Sequence, residues 1–372
     1  MSRSRYVVIH TDHIQHNLSC VRQLVPHASL LAMVKANAYG HGAVTVARTL
    51  TDIDAFGVAT LAEAIELRQA GIQQAIVVMT GFLTADEYQQ LIQYQLDVVI
   101  HDAFQLELIQ ASPVPTGVRF WLKVDTGMHR LGMTPQVFHE TYQHLMTLKI
   151  PSGQCIAMTH MACADDRESS MSQQQWNQFE QVTRDFASQK SIANSALMLN
   201  QCAMYADWVR VGYMLYGGSP VSGKTAESLG LLPAMTLHSQ VLAVKTIQVG
   251  ESVGYGATWV SEQRTTIAII AMGYGDGYPR QAPEGTPVLI NGHCYPLIGR
   301  VSMDLLTVDL GINSQVKSGD DVIFWGEGLP VDTIAQHCST IGYELMTQLT
   351  QRVEHVEMAG NRKGIYETPS CT

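Results

Sequence analysis

Residues 30–42, with the sequence LLAMVKANAYGHG, join a short apolar run to a loop of small residues. The run, residues 30–34, is bounded by turn residues and predicts a buried strand. Lys35 follows it directly, so its amine is expected at the carboxyl end of a sheet, where α/β folds build their sites. A desolvated lysine there can form a Schiff base with an aldehyde cofactor. A surface lysine beside a glycine turn is the alternative, and spacing alone favours neither.

Outward from this segment, short apolar runs alternate with helix-like stretches from about residue 11 to residue 228. Residues 61–70, 84–94 and 172–188 are such helix-like stretches. Helices between consecutive strands demand parallel pairing, so eight units predict a (β/α)8 barrel of the TIM type. A doubly wound sheet is the alternative, but no GxGxxG motif follows an early strand. The candidate strands are residues 30–34, 55–59, 75–79, 96–100, 118–124, 156–160, 196–199 and 208–211.

After residue 228 the pattern changes to short runs rich in β-branched residues and separated by glycine-bearing turns. This pattern predicts a mostly-β C-terminal domain. Residues 329–355 have a partly helical pattern. The candidate strands are residues 236–249, 265–272, 287–290, 295–298, 305–308 and 321–324.

Composition indicates an ordinary globular protein of 372 residues, with 46% hydrophobic and 15% charged residues. A length of this size predicts two domains or one large domain with an appendage. The net charge of -10 and the lack of any Lys/Arg cluster argue against nucleic-acid binding. Seven scattered cysteines without CxxC spacing indicate reduced thiols. No secretory signal or membrane span is recognisable, so we expect a cytoplasmic protein.

Five segments together carry a resemblance to one enzyme family. They are VKANAYGHG (34–42), FGVATLAEA (56–64), KVDTGMHRLG (123–132), VGYGATW (253–259) and GYGDGYPR (273–280). They occur in that family's order over nearly the whole chain, and the set is a stronger signal than any single motif. It resembles the alanine racemases, which use pyridoxal 5'-phosphate (PLP). The resemblance implies that Lys35 carries PLP. It also implies a barrel over residues 10–228 and a β domain over residues 229–372, which the first strand, within residues 1–9, joins.

The PLP phosphate needs a cradle, which in a barrel is expected after strands seven and eight. Residues 194–195 and 210–213 lie at those positions. The resemblance implies three phosphate contacts and two further hydroxyls. The contacts come from Ser195, Gly212 and the backbone of Tyr213, and the hydroxyls from Tyr39 and Tyr343.

The resemblance gives Arg210 the role of partner to the pyridine nitrogen of PLP. An arginine cannot accept a proton, so it keeps that nitrogen unprotonated. Arg130 would contact the phenolic oxygen of PLP and the substrate carboxylate. In many relatives a carbamylated lysine orients this arginine, and Lys123 occupies that place. An unmodified Lys123 paired with a carboxylate is the alternative. The backbone N–H of Met303 would also meet the substrate carboxylate.

Racemisation needs one proton carrier on each face of the α-carbon. Lys35 is one candidate, and Tyr255, between two glycines, is the other. A free tyrosine, with a pKa of about 10, is a poor base at neutral pH and needs a partner. His160 resembles the histidine that contacts this tyrosine, although a core histidine without such a role is the alternative.

The resemblance further implies a homodimer whose active sites are shared between chains, with alanine as the substrate. The product D-alanine would supply peptidoglycan, or the reaction would serve catabolism. Alternatives are a serine or broad-specificity racemase, a decarboxylase of the same type and a PLP-binding module without activity. Arg210 argues against the decarboxylase, which carries an acidic partner for the ring nitrogen. A narrow entrance is expected from Asp165, Tyr274, Arg280 and Tyr343.

Three histidines near the amino end, His10, His13 and His16, are spaced three residues apart. This spacing could place them on one side of a helix, but only Asp12 lies beside them and no cysteine does. The sequence therefore predicts no metal site.

Overall fold

The chain opens with strand β1 (Arg5–His10) and helix α1 (Thr11–Leu24), and then enters a closed barrel of eight parallel strands. A computed structural model describes residues 5–111, 116–201 and 204–358. The last barrel strand pairs with the first, which confirms the predicted (β/α)8 barrel. The barrel strands are β2 (Ser29–Met33), β3 (Ala55–Val58), β4 (Ala75–Val78), β5 (Asp97–Ile100), β6 (Phe120–Lys123), β7 (Cys155–Met158), β8 (Lys190–Asn194) and β9 (Trp208–Val211).

Helices connect the barrel strands, and several begin at a threonine. The hydroxyls of Thr60, Thr84 and Thr134 each accept a backbone N–H from three residues further on, which satisfies one free donor of the first turn. The connecting helices are α2 (Ala43–Thr49), α3 (Leu61–Gln69), α4 (Ala85–Gln93), α5 (Phe104–Gln110), α6 (Pro135–Thr147), α7 (Met171–Val182) and α8 (Ser195–Asn200).

The prediction of a seventh barrel strand at residues 196–199 is wrong, because these residues lie in α8. The strand is instead β8, which ends at Asn194. The Asn194 side chain accepts the N–H of Leu197 at 2.9 Å and so caps α8. The run after Ser195 contains alanine, leucine and methionine, which favour helix over strand. An apolar run alone did not distinguish the two.

The second part of the chain forms an eight-stranded sheet that includes β1. β1 lies between β10 (Met235–Ile247), antiparallel to it, and β18 (Glu354–Met358), parallel to it. The predicted mostly-β fold is thereby confirmed, and the boundary at residues 228 and 229 stays a prediction. The other strands of this sheet are β13 (Thr265–Ile270), β14 (Pro287–Ile290), β15 (His293–Ile298), β16 (Leu306–Gly311) and β17 (Asp321–Trp325).

Two small additions complete this part. β11 (Ser252–Val253) and β12 (Trp259–Val260) form a separate two-stranded ribbon. Helices α9 (Val331–His337) and α10 (Gly342–Thr347) fall within the segment with the partly helical pattern. α10 reaches back to the barrel, since its residues line the barrel's main cavity.

No helix in the described part of the chain is long and apolar enough to cross a membrane. The cysteines at positions 20, 155, 163 and 338 are free thiols, as predicted, whereas Cys294 is disulfide-bonded. The prediction of reduced thiols is therefore wrong for Cys294, because spacing along the chain does not show which thiols the fold brings together.

Candidate active site

A cavity of about 950 Å³ lies at the carboxyl end of the barrel strands. Helix α10 forms part of its wall through Tyr343, Glu344 and Thr347. The position agrees with the rule that barrel sites are built from the loops after the strands. The candidate residues that line the cavity are Lys35, Tyr39, Lys123, Arg130, His160, Ser195, Arg210, Gly212, Tyr213 and Tyr343.

Lys35 begins a turn of left-handed helix, in which four non-glycine residues, Ala36 to Tyr39, have φ values of 52° or 53°. This conformation costs roughly 1–2 kcal/mol per residue, so side chains must hold it. Glu63 accepts the N–H of Ala36 at 2.7 Å. The ring of His41 offers Nδ1 to the carbonyl oxygens of Ala38 and Tyr39, both at 3.0 Å. These contacts stabilise the turn that presents the lysine.

The residues expected around the phosphate lie together at one side of the cavity. The N–H of Gly212 donates to Oγ of Ser195 at 3.2 Å. A Cβ built on Gly212 would lie 2.7 Å from the Tyr39 hydroxyl oxygen, so only glycine leaves this space open. The Tyr39 hydroxyl has no hydrogen-bond partner among the described residues. Burial raises the pKa of Tyr39 to about 12, so the hydroxyl remains a donor at neutral pH.

Tyr213 joins the barrel to the helices that follow the sheet. Its hydroxyl donates to Oδ1 of Asp332 at 2.5 Å, and its ring stacks on that of Tyr343 with centroids 3.9 Å apart. Asp332 also accepts the N–H of Ser219 at 3.0 Å. Burial raises the pKa of Tyr343, and the negative charge of Asp165 adds to this effect. Tyr343 is therefore a neutral hydroxyl group at the cavity wall.

Arg210 is buried and lines the cavity, and acceptors on neighbouring strands hold part of its guanidinium. It donates to Oγ of Ser191 at 2.6 Å and to the carbonyl oxygens of Thr159 and Ile192 at 2.7 and 3.2 Å. Burial, followed by the charge of Arg130, lowers the pKa of Arg210 to about 10. Arg210 thus remains charged at neutral pH and offers only donors to a ligand.

His160 lies next to Arg210, with Nδ1 at 3.2 Å from a guanidinium nitrogen. Burial holds the pKa of His160 well below its usual value, and four cations add to the effect. The cations are Arg210, Arg130, Lys123 and Lys35. His160 is therefore a neutral imidazole in a strongly positive cavity, which suits an anionic ligand.

Both lysines of the cavity have weakened basicity. Burial, and then the charge of Arg130, lowers the pKa of Lys35. Lys123, at the end of β6, is only 7% exposed, and its amine forms no ion pair within the described residues. Burial, followed by the charges of Arg210 and Arg130, lowers the pKa of Lys123 to about 8. Each amine is more easily neutralised, and hence more nucleophilic, than an exposed lysine.

The remaining candidates lie outside this cavity. Tyr255 and Met303 are 71% and 52% exposed on the β domain, and Tyr274 is 39% exposed. The N–H of Gly275 donates to the Met303 carbonyl at 2.9 Å, and a Cβ built on Gly254 would lie 3.4 Å from the N of Arg300. The turns that carry Tyr255 and Tyr274 thus both contact the segment of residues 300–303, which includes Met303. Arg280 is exposed and lines a separate groove, and Asp165 is exposed near Tyr343.

Family comparisons agree with this architecture. The family model described as alanine racemase, N-terminal domain, matches residues 9–220, and that of the C-terminal domain matches residues 234–357. The chain belongs to the alanine racemase family.

Individual alanine racemases are similar over almost their full length. The alanine racemase of Shewanella loihica is 45% identical over 92% of this chain and 96% of its own. That of Shewanella woodyi is 46% identical over 91% of this chain and 95% of its own. The crystal structure of the biosynthetic alanine racemase from Pseudomonas aeruginosa superposes with a TM-score of 0.92 at 41% identity, covering 96% of this chain and 100% of that one.

Within this alanine racemase fold, the sequence interpretation missed two supporting residues. Glu63 accepts N–H groups of Ala36, Ala59 and Thr60 and so ties the lysine turn to the end of β3. The capping pattern of Thr60 and Glu63 is a sequence signal that could have found it. Asp332 gave no such signal, because its partner Tyr213 lies 119 residues away along the chain.

Proposed function

We propose that this chain is a PLP-dependent alanine racemase that interconverts L-alanine and D-alanine. The observation that carries the proposal is the position of Lys35. Its amine, with a lowered pKa, lines the same positive cavity at the barrel mouth as the buried Arg210. The relatives that cover more than nine-tenths of the chain are named alanine racemase, which supports the choice of substrate.

The cavity residues fit PLP. Among the described residues the Tyr39 hydroxyl has no hydrogen-bond partner, and the Gly212 surface leaves a space that a Cβ would fill, so a phosphate can approach both. Ser195 and the backbone of Tyr213 would complete the phosphate contacts. Arg210 can only donate a hydrogen bond, so it suits a ring nitrogen that carries no proton. Arg130 and His160 lie further along the same wall.

PLP, when bound, supplies an electron-withdrawing ring that makes the α-hydrogen of an amino acid acidic. The chain's own groups then move the proton. The Lys35 amine takes or returns it on one face, and the Tyr255 hydroxyl does so on the other. The Arg130 guanidinium and the Met303 N–H hold the substrate carboxylate. The entrance is narrowed by four side chains and so favours a substrate with a small side chain. These are Tyr343, Asp165, Tyr274 and Arg280.

We also infer that Lys123 is carbamylated. A buried lysine without a carboxylate partner is costly, and a pKa of about 8 leaves a useful fraction of the amine neutral. The ammonium group first loses one proton. The neutral amine then attacks the carbon of CO2, so that an N–C bond forms, a C–O π bond opens and a second proton leaves, and the side chain has changed from cation to anion. The anion would pair with Arg130, whose charge already acts on Lys123.

The active form is proposed to be a homodimer with shared sites. Tyr255 and Met303 are exposed and do not line the cavity of their own chain. At the mouth of that cavity Ile341 is 60% exposed and Leu131 is 37% exposed, which leaves an apolar rim. A two-fold pairing would place each Tyr255 over the partner's rim and bury both surfaces at once.

The experiment combines cofactor mapping with a chiral assay. Borohydride reduction of the PLP-loaded enzyme should fix the cofactor on the peptide that contains Lys35, and L-alanine should yield D-alanine. The Lys35→Ala variant should lose both the trapped link and the activity. Trapping on a different lysine, or an enzyme that binds PLP at Lys35 but does not racemise alanine, would overturn the proposal.

A further inference from the structure

A cluster of metal-binding side chains lies at the junction of the barrel and the sheet, outside the cavity described above. One ligand atom from each of His10, His13 and Glu327 lies within 4.8 Å of the other two. His10 is buried, and the other two are partly buried. The imidazole rings of His10 and His13 stack with centroids 4.7 Å apart. We propose that these three residues bind one divalent transition-metal ion of the Zn²⁺ class.

The fold brings these residues together from three elements. His10 ends β1, His13 lies in the first turn of α1, and Glu327 lies in the tight turn after β17. The N–H of Gly326 donates to the Leu329 carbonyl at 2.7 Å, which closes that turn. The prediction that the sequence holds no metal site rested on Asp12 as the only nearby acid. Glu327, more than 300 residues away, supplies the missing carboxylate.

A hydrogen bond determines which ring nitrogen of His13 is free to bind a metal ion. Its Nδ1 lies 2.8 Å from the carbonyl oxygen of Pro233. A carbonyl oxygen only accepts, so Nδ1 of His13 carries the proton and donates. In the neutral ring the lone pair is therefore on Nε2. Metal-binding histidines typically show this arrangement, in which the second nitrogen donates to a backbone carbonyl.

His10 is oriented in a similar way through Thr236. Nε2 of His10 lies 2.9 Å from Oγ1 of Thr236, which leaves Nδ1 for a ligand. The same Oγ1 accepts the N–H of Glu327 at 3.2 Å. One buried hydroxyl thus holds both His10 and the turn that bears the carboxylate. This shared anchor makes the cluster a preorganised site rather than a chance proximity.

Two nitrogens and one carboxylate match the ligand preference of Zn²⁺ and its neighbours, with water in the fourth position. Bonds of about 2.0–2.2 Å in a tetrahedron require ligand atoms about 3.3–3.6 Å apart. The three ligand atoms lie within 4.8 Å of one another, so small side-chain rotations would bring them to the spacing that a metal ion requires. A bound ion would join β1 and α1 to the β17 turn and so brace the barrel against the sheet.

The test uses untagged, chelator-treated, PLP-loaded enzyme titrated with Co²⁺. Tetrahedral nitrogen–oxygen coordination should give visible d–d absorption that saturates at one ion per chain. His13→Gln and Glu327→Gln should each weaken binding at least tenfold. His16→Gln is the matched control, because His16 lies on the same helix but bonds the Gly230 carbonyl at 2.8 Å and is outside the cluster. Its Co²⁺ affinity should equal that of the wild type.

A second measurement distinguishes a loss of metal binding from a failure of the variant to fold. The midpoint of thermal unfolding of the wild type and of His16→Gln should rise with Co²⁺ concentration, whereas in the two cluster variants it should not. Circular dichroism and PLP absorbance identify properly folded variants. The proposal is overturned if the wild type shows no saturable site or if both cluster variants bind as the wild type does. Thiolate-to-cobalt charge-transfer bands would also overturn it, because Cys20 lies 3.5 Å from His16.

Discussion

Nδ1 of His160 lies 3.2 Å from a guanidinium nitrogen of Arg210, and this contact determines the tautomer of the histidine. An arginine only donates, so Nδ1 accepts and the ring proton is on Nε2. The same guanidinium is held by Ser191 and by the Thr159 carbonyl, so it has little freedom to turn away. His160 therefore presents a donor to its other neighbours. In the proposed homodimer this donor would suit the deprotonated oxygen that Tyr255 of the partner subunit needs in order to act as a base.

The first prediction concerns the protonation of His160. Its pKa is lowered, mainly by burial, so the folded protein keeps it neutral where a free histidine, with a pKa of about 6.5, gains a proton. Nitrogen-15 NMR of histidine-labelled enzyme should show the Nε2–H tautomer without protonation between pH 8 and about pH 6. His160→Asn assigns the signal. A protonation midpoint at or above the free value, or an Nδ1–H signal, would contradict the account.

The second prediction concerns Lys123. With ¹³C-bicarbonate the wild type should show a carbamate carbon signal that Lys123→Ala lacks. Activity of that variant should fall at least tenfold, because Arg130 loses its orienting anion, and a short carboxylate such as acetate should restore part of it. Lys224→Ala, at an exposed lysine, serves as the control. If the wild type lacks the carbamate signal and Lys123→Ala is fully active, carbamylation of Lys123 is refuted.

The third prediction concerns the space above Gly212. In Gly212→Ala the new methyl would lie 2.7 Å from the Tyr39 hydroxyl oxygen and 3.5 Å from Cβ of Met33. PLP affinity, measured by equilibrium absorbance titration, should fall about tenfold, or roughly 1.4 kcal/mol. Gly153→Ala, where a Cβ meets nothing within 4 Å, should leave it unchanged. Unaltered affinity in Gly212→Ala would refute the phosphate assignment.

The fourth prediction concerns Glu63 and the lysine turn. In Glu63→Gln one carboxylate oxygen becomes an NH2 group, which cannot accept, so either the N–H of Ala36 or the N–H groups of Ala59 and Thr60 lose their acceptor. The free energy of unfolding in urea should fall by about 1–3 kcal/mol, and PLP should bind more weakly because the left-handed turn loses a support. Glu66→Gln, an exposed site on the same helix, should change neither quantity. Equal stability of the two variants would show that Glu63 does not hold the turn.

Much of the fold could be predicted because barrel strands are local apolar runs. Residues 30–34 and 55–59 differ from β2 and β3 by a single position at one end or both. The error at residues 196–199 arose because a buried helix and a buried strand share an apolar pattern. The cap by Asn194 decides between them, and its hydrogen bond is visible only in the structure.

The site was less accessible to sequence reasoning. Lys35 could be placed from its position after a strand, since topology brings such residues to the barrel mouth. The stacking of Tyr343 on Tyr213 and the convergence of Glu327 with two histidines depend on long-range packing that no local pattern encodes. Exposure of Tyr255 is likewise a tertiary property, and it is what points to a second chain.

In the proposed homodimer, Lys35 of one chain and Tyr255 of its partner act on the same substrate. Lys35→Ala and Tyr255→Phe should each be inactive, because each site loses one of its two proton carriers. When the two variants are mixed and allowed to exchange subunits, each heterodimer contains one site with both residues intact. D-alanine formation should then return to about half of the wild-type rate per heterodimer. Proven subunit exchange without recovered activity would contradict the claim, as would full activity of an isolated single chain.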